Sequence, residues 1–145
     1  MSDIKKQALL LVAEDDPDDQ YFFQEAIEVA CPEKVETHFV FDGAQLLSAL
    51  RKKQLDKYRK NLVVLDLNMQ VKDGKTVLQD IKSDPAFAAI PVVVLTTSDN
   101  QEDIDYCLQN GAVAYYRKPS KITDLVKIIR NLCQEYLNSV NPESK

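Results

Sequence analysis

Apolar and polar positions along this chain switch repeatedly between two periods. "ALLLVA" (8–13) is an unbroken apolar run, the pattern of a strand buried on both faces. It stops at Glu14, Asp15 and Asp16, after which Pro17 can open a helix at its first turn. Over 18–30 the residues Phe22, Phe23, Ala26, Ile27 and Ala30 recur at helical spacing. "VETHFVF" (35–41) alternates, with Val35, Thr37, Phe39 and Phe41 on one side, as in a half-buried strand. "DGAQLLSALRKK" (42–53) reads as a helix with Leu46, Leu47 and Leu50 on one face. "NLVVLD" (61–66) is a buried strand, and its helix covers 75–83 with Val77, Leu78 and Ile81 inward. "IPVVVLTT" (90–97) is a fourth strand, with Pro91 at its start where the missing N–H is tolerated. Residues 100–110 are helical, and Gly111 suits their C-terminal cap. "AVAYYR" (112–117) is a fifth strand. The last helix spans 121–137, with Ile122, Leu125, Val126, Ile128, Ile129 and Leu132 inward. The stretches 55–60 and 83–89 carry the weakest pattern, the first reading as a loop, and the polar tail after 137 is expected to fray.

Five β–α repeats predict the α/β class: a doubly wound, five-stranded parallel sheet with helices on both faces and right-handed crossovers. No linker or second domain interrupts the pattern, so 1–145 is expected to be one domain with a core over about 8–137.

Charge and cysteine content narrow the possible partners. A net charge of -5 argues against a general attraction to nucleic acid or anionic lipid. The apolar runs are too short to span a bilayer. The first apolar run ends in acids rather than in a small-residue cleavage site, so no signal peptide is expected. Cys31, Cys107 and Cys133 are odd in number and widely spaced, which suggests neither a metal motif nor a disulfide framework. A reducing cytoplasm is the simplest setting.

Open α/β sheets place their sites at the carboxyl ends of the strands. Here those ends carry Glu14 and Asp15, then Asp66, then Thr96 with Thr97 and Ser98 behind it, then Lys118 before Pro119. Clustered carboxylates repel one another unless a cation neutralises them. An all-oxygen donor set of this kind suits Mg²⁺. An aspartate there can act as a nucleophile on phosphorus and form an acyl phosphate. The charge on the transferred group then needs donors and positive charge, which Lys118, Thr96 and a metal ion supply. Each feature alone has a plainer reading. "DDPDD" can cap a helix, a lone strand-end aspartate is commonly structural, and Asp73–Gly74 is turn chemistry. His38 reads as a strand-face residue, Asp16, Asp18 and Asp19 as a solvated acidic face, and the cysteines as core or half-buried. The set occurring in order at the strand ends favours the chemical reading.

"LLLVAEDDPDD", "VVLDLNMQVKDG", "PVVVLTTS" and "YYRKP" resemble response-regulator receiver domains in order and spacing, over about 8–137. The likeness is greatest to the stand-alone receivers of the phytochrome-partner type. It implies a flavodoxin-like (CheY-like) sheet of order 2-1-3-4-5. It implies that Asp66 takes a phosphoryl group from a sensor histidine kinase or phosphotransfer protein. It implies Asp15 and Asp66 as Mg²⁺ ligands, Glu14 beside them, and the Asn68 carbonyl completing the protein ligands. It further implies Lys118 on a phosphoryl oxygen, Thr96 as the hydroxyl that shifts upon phosphorylation, and Tyr115, rather than Tyr116, as the aromatic that moves with it. Because neighbouring strand side chains alternate, only one of the two tyrosines is expected to face the last helix. The Lys118–Pro119 bond is usually cis in that family. Asn68 and Ser98 match positions that tune phosphoryl lifetime. One departure stands out: Gln70 lies where the family usually has proline, so the loop after Asp66 is expected to be more mobile without losing a ligand.

Three other readings compete. A hydrolase of the haloacid dehalogenase type also uses Asp, Thr/Ser, Lys and Mg²⁺, but its general acid would stand at Asn68, and no cap insertion is present. An inactive scaffold is disfavoured because every ligand position is filled. A flavin carrier lacks its phosphate loop after the first strand. The favoured reading is a signalling switch rather than an enzyme with turnover, passing its signal through the fourth helix, fifth strand and fifth helix. The stripe in "LVKIIRNLCQEYL" reads as core alone or as core plus a homodimer contact, and the frequency of isologous dimers favours the second.

Overall fold

The computed structural model describes residues 6–31, 35–52, 58–69 and 72–137. Five strands alternate with five helices: β1 (Lys6–Ala13), α1 (Pro17–Ala30), β2 (Val35–Val40), α2 (Gly43–Lys52), β3 (Tyr58–Leu65), α3 (Gly74–Ser83), β4 (Val92–Thr96), α4 (Gln101–Gln109), β5 (Ala114–Arg117) and α5 (Ile122–Leu132). A π-helical turn, Cys133–Leu137, continues α5. All strand pairs are parallel, in the order β2-β1-β3-β4-β5. The parallel sheet is the one the repeats predict, and its order is the flavodoxin-like order that the receiver-domain resemblance implies.

The continuous apolar runs have a direct physical cause. β1, β3 and β4 are covered on both faces, so neither face tolerates polar side chains. Alternate residues serve two core layers. Ala8, Leu10, Val12, Leu62, Val64, Val93 and Leu95 pack with Phe23, Ile27, Leu125 and Ile129 of α1 and α5. Leu9, Leu11, Val63, Leu65, Val92 and Val94 pack with Leu46, Leu50, Val77, Leu78, Ile81 and Cys107 of α2, α3 and α4. Side-chain caps start four of the helices, and at α2 Asp42 accepts from the N–H of Gln45. Asp16 accepts from the N–H groups of Asp18 and Asp19, Asp73 from Thr76, and Asn100 from Glu102. The stretch 83–89 forms a turn that lowers Phe87 into the α2/α3/α4 layer. Gly111 stands at φ 102°, the left-handed backbone that ends α4.

Several expectations are corrected. Phe41 lies past the end of β2 and is 50 % exposed, because only residues within the paired strand keep the alternation. β3 starts at Tyr58, inside the stretch read as loop, because its first residues already pair with β1, Tyr58 with Lys6 and Lys60 with Ala8. Residues 55–57 lie outside the described residues. The last helix is regular only to Leu132. Of its six expected inward residues, Leu125, Ile129 and Leu132 are buried, while Ile122, Val126 and Ile128 are half-buried at the border of that layer. The cysteines are not all unpaired: Cys31 and Cys133 form a disulfide, 102 positions apart in sequence. The ends of α1 and α5 converge on one face of the sheet, a proximity that spacing alone does not encode. Cys107 is free and buried, and burial pushes its thiol up to about 11.

Candidate functional site

The strand order brings the C-terminal ends of β1, β3, β4 and β5 side by side, and backbone bonds hold them level. The Asp66 N–H donates to the Ala13 carbonyl (3.2 Å), Glu14 N–H to Val40 (3.0 Å) and Lys118 N–H to Thr96 (2.7 Å). Glu14, Asp66 and Thr96 are buried polar residues at 5 %, 4 % and 0 % exposure. Such groups require partners, and the site supplies them.

The carboxylates of Glu14, Asp15 and Asp66 each place one oxygen within 4.8 Å of the others, a grouping able to hold a metal ion. The Lys118 ammonium sits among the acids, 2.6 Å from Glu14 Oε1, 3.0 Å from Asp66 Oδ2 and 2.9 Å from Asp19 Oδ2. Asp66 Oδ1 accepts the Asn68 N–H at 3.1 Å, and Glu14 Oε2 accepts the Asp16 N–H at 3.1 Å. Gln20 Nε2 donates to the Glu14 carbonyl at 2.5 Å, tying α1 to the end of β1.

The electrostatics follow from burial and company. Desolvation raises the Glu14 carboxyl to about 7; the Asp66 charge adds to the rise, and Lys118 opposes it. Burial alone disfavours charge on Lys118, but Glu14, Asp19 and Asp66 outweigh it and hold the ammonium protonated well above its usual range. Glu14, Asp19 and Asp66 surround the one lysine with Asp15 beside them, an acid-rich oxygen set of the kind that suits a divalent cation. The donor set is entirely oxygen, as Mg²⁺ or Mn²⁺ prefers.

Of the residues read from the sequence, Glu14, Asp15, Asp66 and Lys118 meet directly. Thr96 joins through Asn68, whose Nδ2 lies 3.5 Å from both Thr96 Oγ1 and Thr97 Oγ1. Tyr115 stands one step away: its hydroxyl donates to the Ser98 carbonyl at 2.9 Å. The register pairs Tyr115 with Val94 and Tyr116 with Leu95. Tyr116 is therefore the tyrosine that faces α5, while Tyr115 packs on the α2/α3/α4 layer beside the loop after β4. That loop is held further by Ser98 Oγ donating to Asp103 (2.6 Å), itself paired with Lys75 of α3 at 2.5 Å. No cis peptide occurs among the described residues, so the Lys118–Pro119 bond is trans. Either isomer is within reach of an X–Pro bond, and the Lys118 side chain meets Asp66 from the trans form. Gln70 lies outside the described residues.

Sequence reasoning missed Asp19, which it assigned to a solvated face. Asp19 lies in the first turn of α1, which starts directly after the acids that end β1, and this brings its carboxylate to the Lys118 ammonium. The ion pair Lys75–Asp103 was also missed, since two charges 28 positions apart carry no local pattern.

Comparison with known proteins gives a consistent result. The profile of the response regulator receiver domain matches residues 10–130. The response regulator Rcp1 of Synechocystis sp. is 33% identical over 136 residues, covering 91% of this chain and 90% of its own. The structure of Rcp1 with bound Mn²⁺ superposes with a TM-score of 0.75 at 30% identity, covering 92% of this chain and 96% of that one. The phosphorylated cyanobacterial phytochrome response regulator RcpA gives 0.77 at 32% identity, with the same coverage. A response regulator in red light signalling of R. palustris gives 0.79 at 29%, again over 92% and 96%. The family profile over residues 10–130 and relatives matched over most of their length agree with the sheet order, and the chain is a member of the response regulator receiver domain family of two-component signalling.

Proposed function

We propose that Asp66 accepts a phosphoryl group from the phosphohistidine of a sensor kinase or phosphotransfer protein, with Mg²⁺ as the cofactor. The observation that carries this reading is the grouping of the Glu14, Asp15 and Asp66 carboxylates at the carboxyl edge of the sheet, with the Lys118 ammonium on Glu14 and Asp66. Glu14, Asp15, Asp66 and the Asn68 carbonyl would hold the ion. When bound, it neutralises the acids and the charge on the incoming phosphoryl oxygens.

The chain's own residues do the rest. A carboxylate oxygen of Asp66 attacks phosphorus, the new P–O bond forms as the P–N bond to the donor imidazole breaks, and the imidazole leaves with a proton. Lys118, already on Asp66 Oδ2, stabilises the charge that this step brings in. The buried Thr96 hydroxyl is drawn toward the phosphoryl group. Tyr115, bonded to the same loop at Ser98, repacks with it. A two-state shift of this kind is biased by the new charge. The face built from α4, β5 and α5 is the surface a partner or a second copy would read. The protein is a switch that promotes only its own phosphorylation and slow dephosphorylation, and its proposed setting is the cytoplasm. No helix among the described residues is long and apolar enough to cross a membrane.

Intact mass after incubation with acetyl phosphate tests the reading. One Mg²⁺-dependent phosphoryl adduct is expected on the wild-type chain and none on Asp66→Asn. A folded wild-type protein that binds Mg²⁺ and gains no adduct, even at the earliest quenched times, would refute it.

Metal binding is also expected to follow pH. Burial and Asp66 raise Glu14 to about 7, so below that pH the ion must displace a proton. Mg²⁺ affinity, measured by calorimetry, should rise roughly tenfold from pH 6 to pH 8 as Glu14 ionises. A flat profile would remove Glu14 from the metal site.

A further inference from the structure

Away from the phosphoacceptor site, the described residues contain one covalent cross-link, between Cys31 and Cys133. Cys31 is the first residue past α1, and Cys133 the first past α5, where the α-helix gives way to a π-turn. Their Cα atoms stand 6.5 Å apart, within the span a disulfide bridges. Their surroundings differ. Cys133 is sealed in the α1/α5 core layer, while Cys31 is half-buried and reaches solvent. The third thiol, Cys107, is buried on the opposite side of the sheet and cannot compete. One accessible sulfur beside one sheltered sulfur is the arrangement of an attacking and a resolving cysteine.

We propose that Cys31 and Cys133 form a reversible redox modification site, closed by hydroperoxides and opened by dithiols, that clasps α1 to α5. In the closing reaction the Cys31 thiolate attacks a peroxide oxygen. The O–O bond breaks, water or an alcohol leaves, and Cys31 becomes a sulfenic acid. The Cys133 thiol then attacks the Cys31 sulfur. The S–S bond forms, and the sulfenic hydroxyl departs as water with the thiol proton. Two thiols lose two electrons and two protons in all, and the hydroperoxide takes them up. A dithiol reverses the reaction by exchange and leaves as its own disulfide. The clasp joins the helix that carries Asp19 to the helix beside β5, so it acts on the scaffold between the acidic site and the α5 face.

The test uses the full chain, reduced with dithiothreitol, desalted, treated with hydrogen peroxide, then denatured, alkylated and weighed intact. The reduced chain should take three alkyl groups, one for each cysteine. The peroxide-treated chain should take one, and dithiothreitol should restore three. Cys31→Ser should take two groups before and after peroxide, Cys133→Ser should fall from two to one as Cys31 is held at the sulfenic acid, and Cys107→Ser should go from two to none. Oxidised wild type should melt roughly 10 °C above the reduced form, because the link closes a loop of about a hundred residues. Three alkylatable thiols after peroxide would overturn the proposal. So would thiol loss that dithiothreitol cannot reverse, or equal melting of the two forms.

Discussion

Lys118→Ala is expected to destabilise the metal-free protein by about 3 kcal/mol at pH 8, and by much less at pH 5. Three carboxylates lie within reach of this ammonium, and two of them, on Glu14 and Asp66, are buried. Removing one partner from a buried ion cluster leaves the remaining charge uncompensated, which is the expensive half of such an interaction. The pH dependence follows from proton uptake. Glu14, already raised to about 7, is pushed further up once its cation is gone, so between the ordinary carboxylate range and that value the folded chain binds more protons than the unfolded one. Stability of the variant therefore falls as pH rises through this window, and a proton on Glu14 relieves the loss on the acid side. With the Mg²⁺ site proposed above, the ion should recover much of the deficit, since it would bind the folded chain in preference to the unfolded one. Urea unfolding at pH 5 and pH 8, with and without Mg²⁺, measures all of this. An equal deficit at both pH values would mean that Lys118 acts through packing and not through charge.

A second large effect is expected at Gly74→Ala, outside the charged cluster. Gly74 opens α3, and its N–H donates to the Leu67 carbonyl at 3.0 Å. A Cβ built there would stand 2.5 Å from the Asp66 carbonyl oxygen and 2.6 Å from the Leu67 Cα. Both are backbone atoms, so no rotamer change relieves the clash, and the loop that carries Asp66 must move. Overpacking of this kind costs about 2–3 kcal/mol. With Asp66 as the proposed phosphoacceptor, its displacement by a fraction of an ångström to one ångström should slow phosphorylation by acetyl phosphate roughly a hundredfold. Thr76→Ala, on an exposed position of the same helix, serves as the control and should leave the rate unchanged. Wild-type adduct formation in Gly74→Ala would show that α3 does not set the position of Asp66.

Legibility in the sequence tracked the range of the interaction involved. β1, β3 and β4 were readable because burial on both faces writes an unbroken apolar run into the chain. The inward faces of α2 and α3, Leu46, Leu47 and Leu50 and then Val77, Leu78 and Ile81, were readable because each helix turns one apolar face inward, while their ends fell within a residue of the reading. β2 misled at Phe41, where alternation outlasted the strand. The strand ends located the acids, the hydroxyl and the lysine in order, because a parallel sheet collects its carboxyl ends on one edge. Contacts between distant elements were not readable. The tyrosine that faces α5 depends on the β4–β5 register, the Cys31–Cys133 pairing on where two helix ends meet, and the Lys75–Asp103 pair on the α3–α4 packing.

Lys118 is separated by 52 positions from Asp66 and by 99 from Asp19, and it follows the last strand to join the sheet. This separation sets an order in time during synthesis. A ribosome releases both core acids and their strands well before it releases the lysine that balances them. Over that interval the nascent sheet lacks its edge strand, and its carboxylates have only dissolved cations for company. The charge balance of the acidic edge is therefore among the last features of the sheet to be assembled, since it waits on the residue that follows β5.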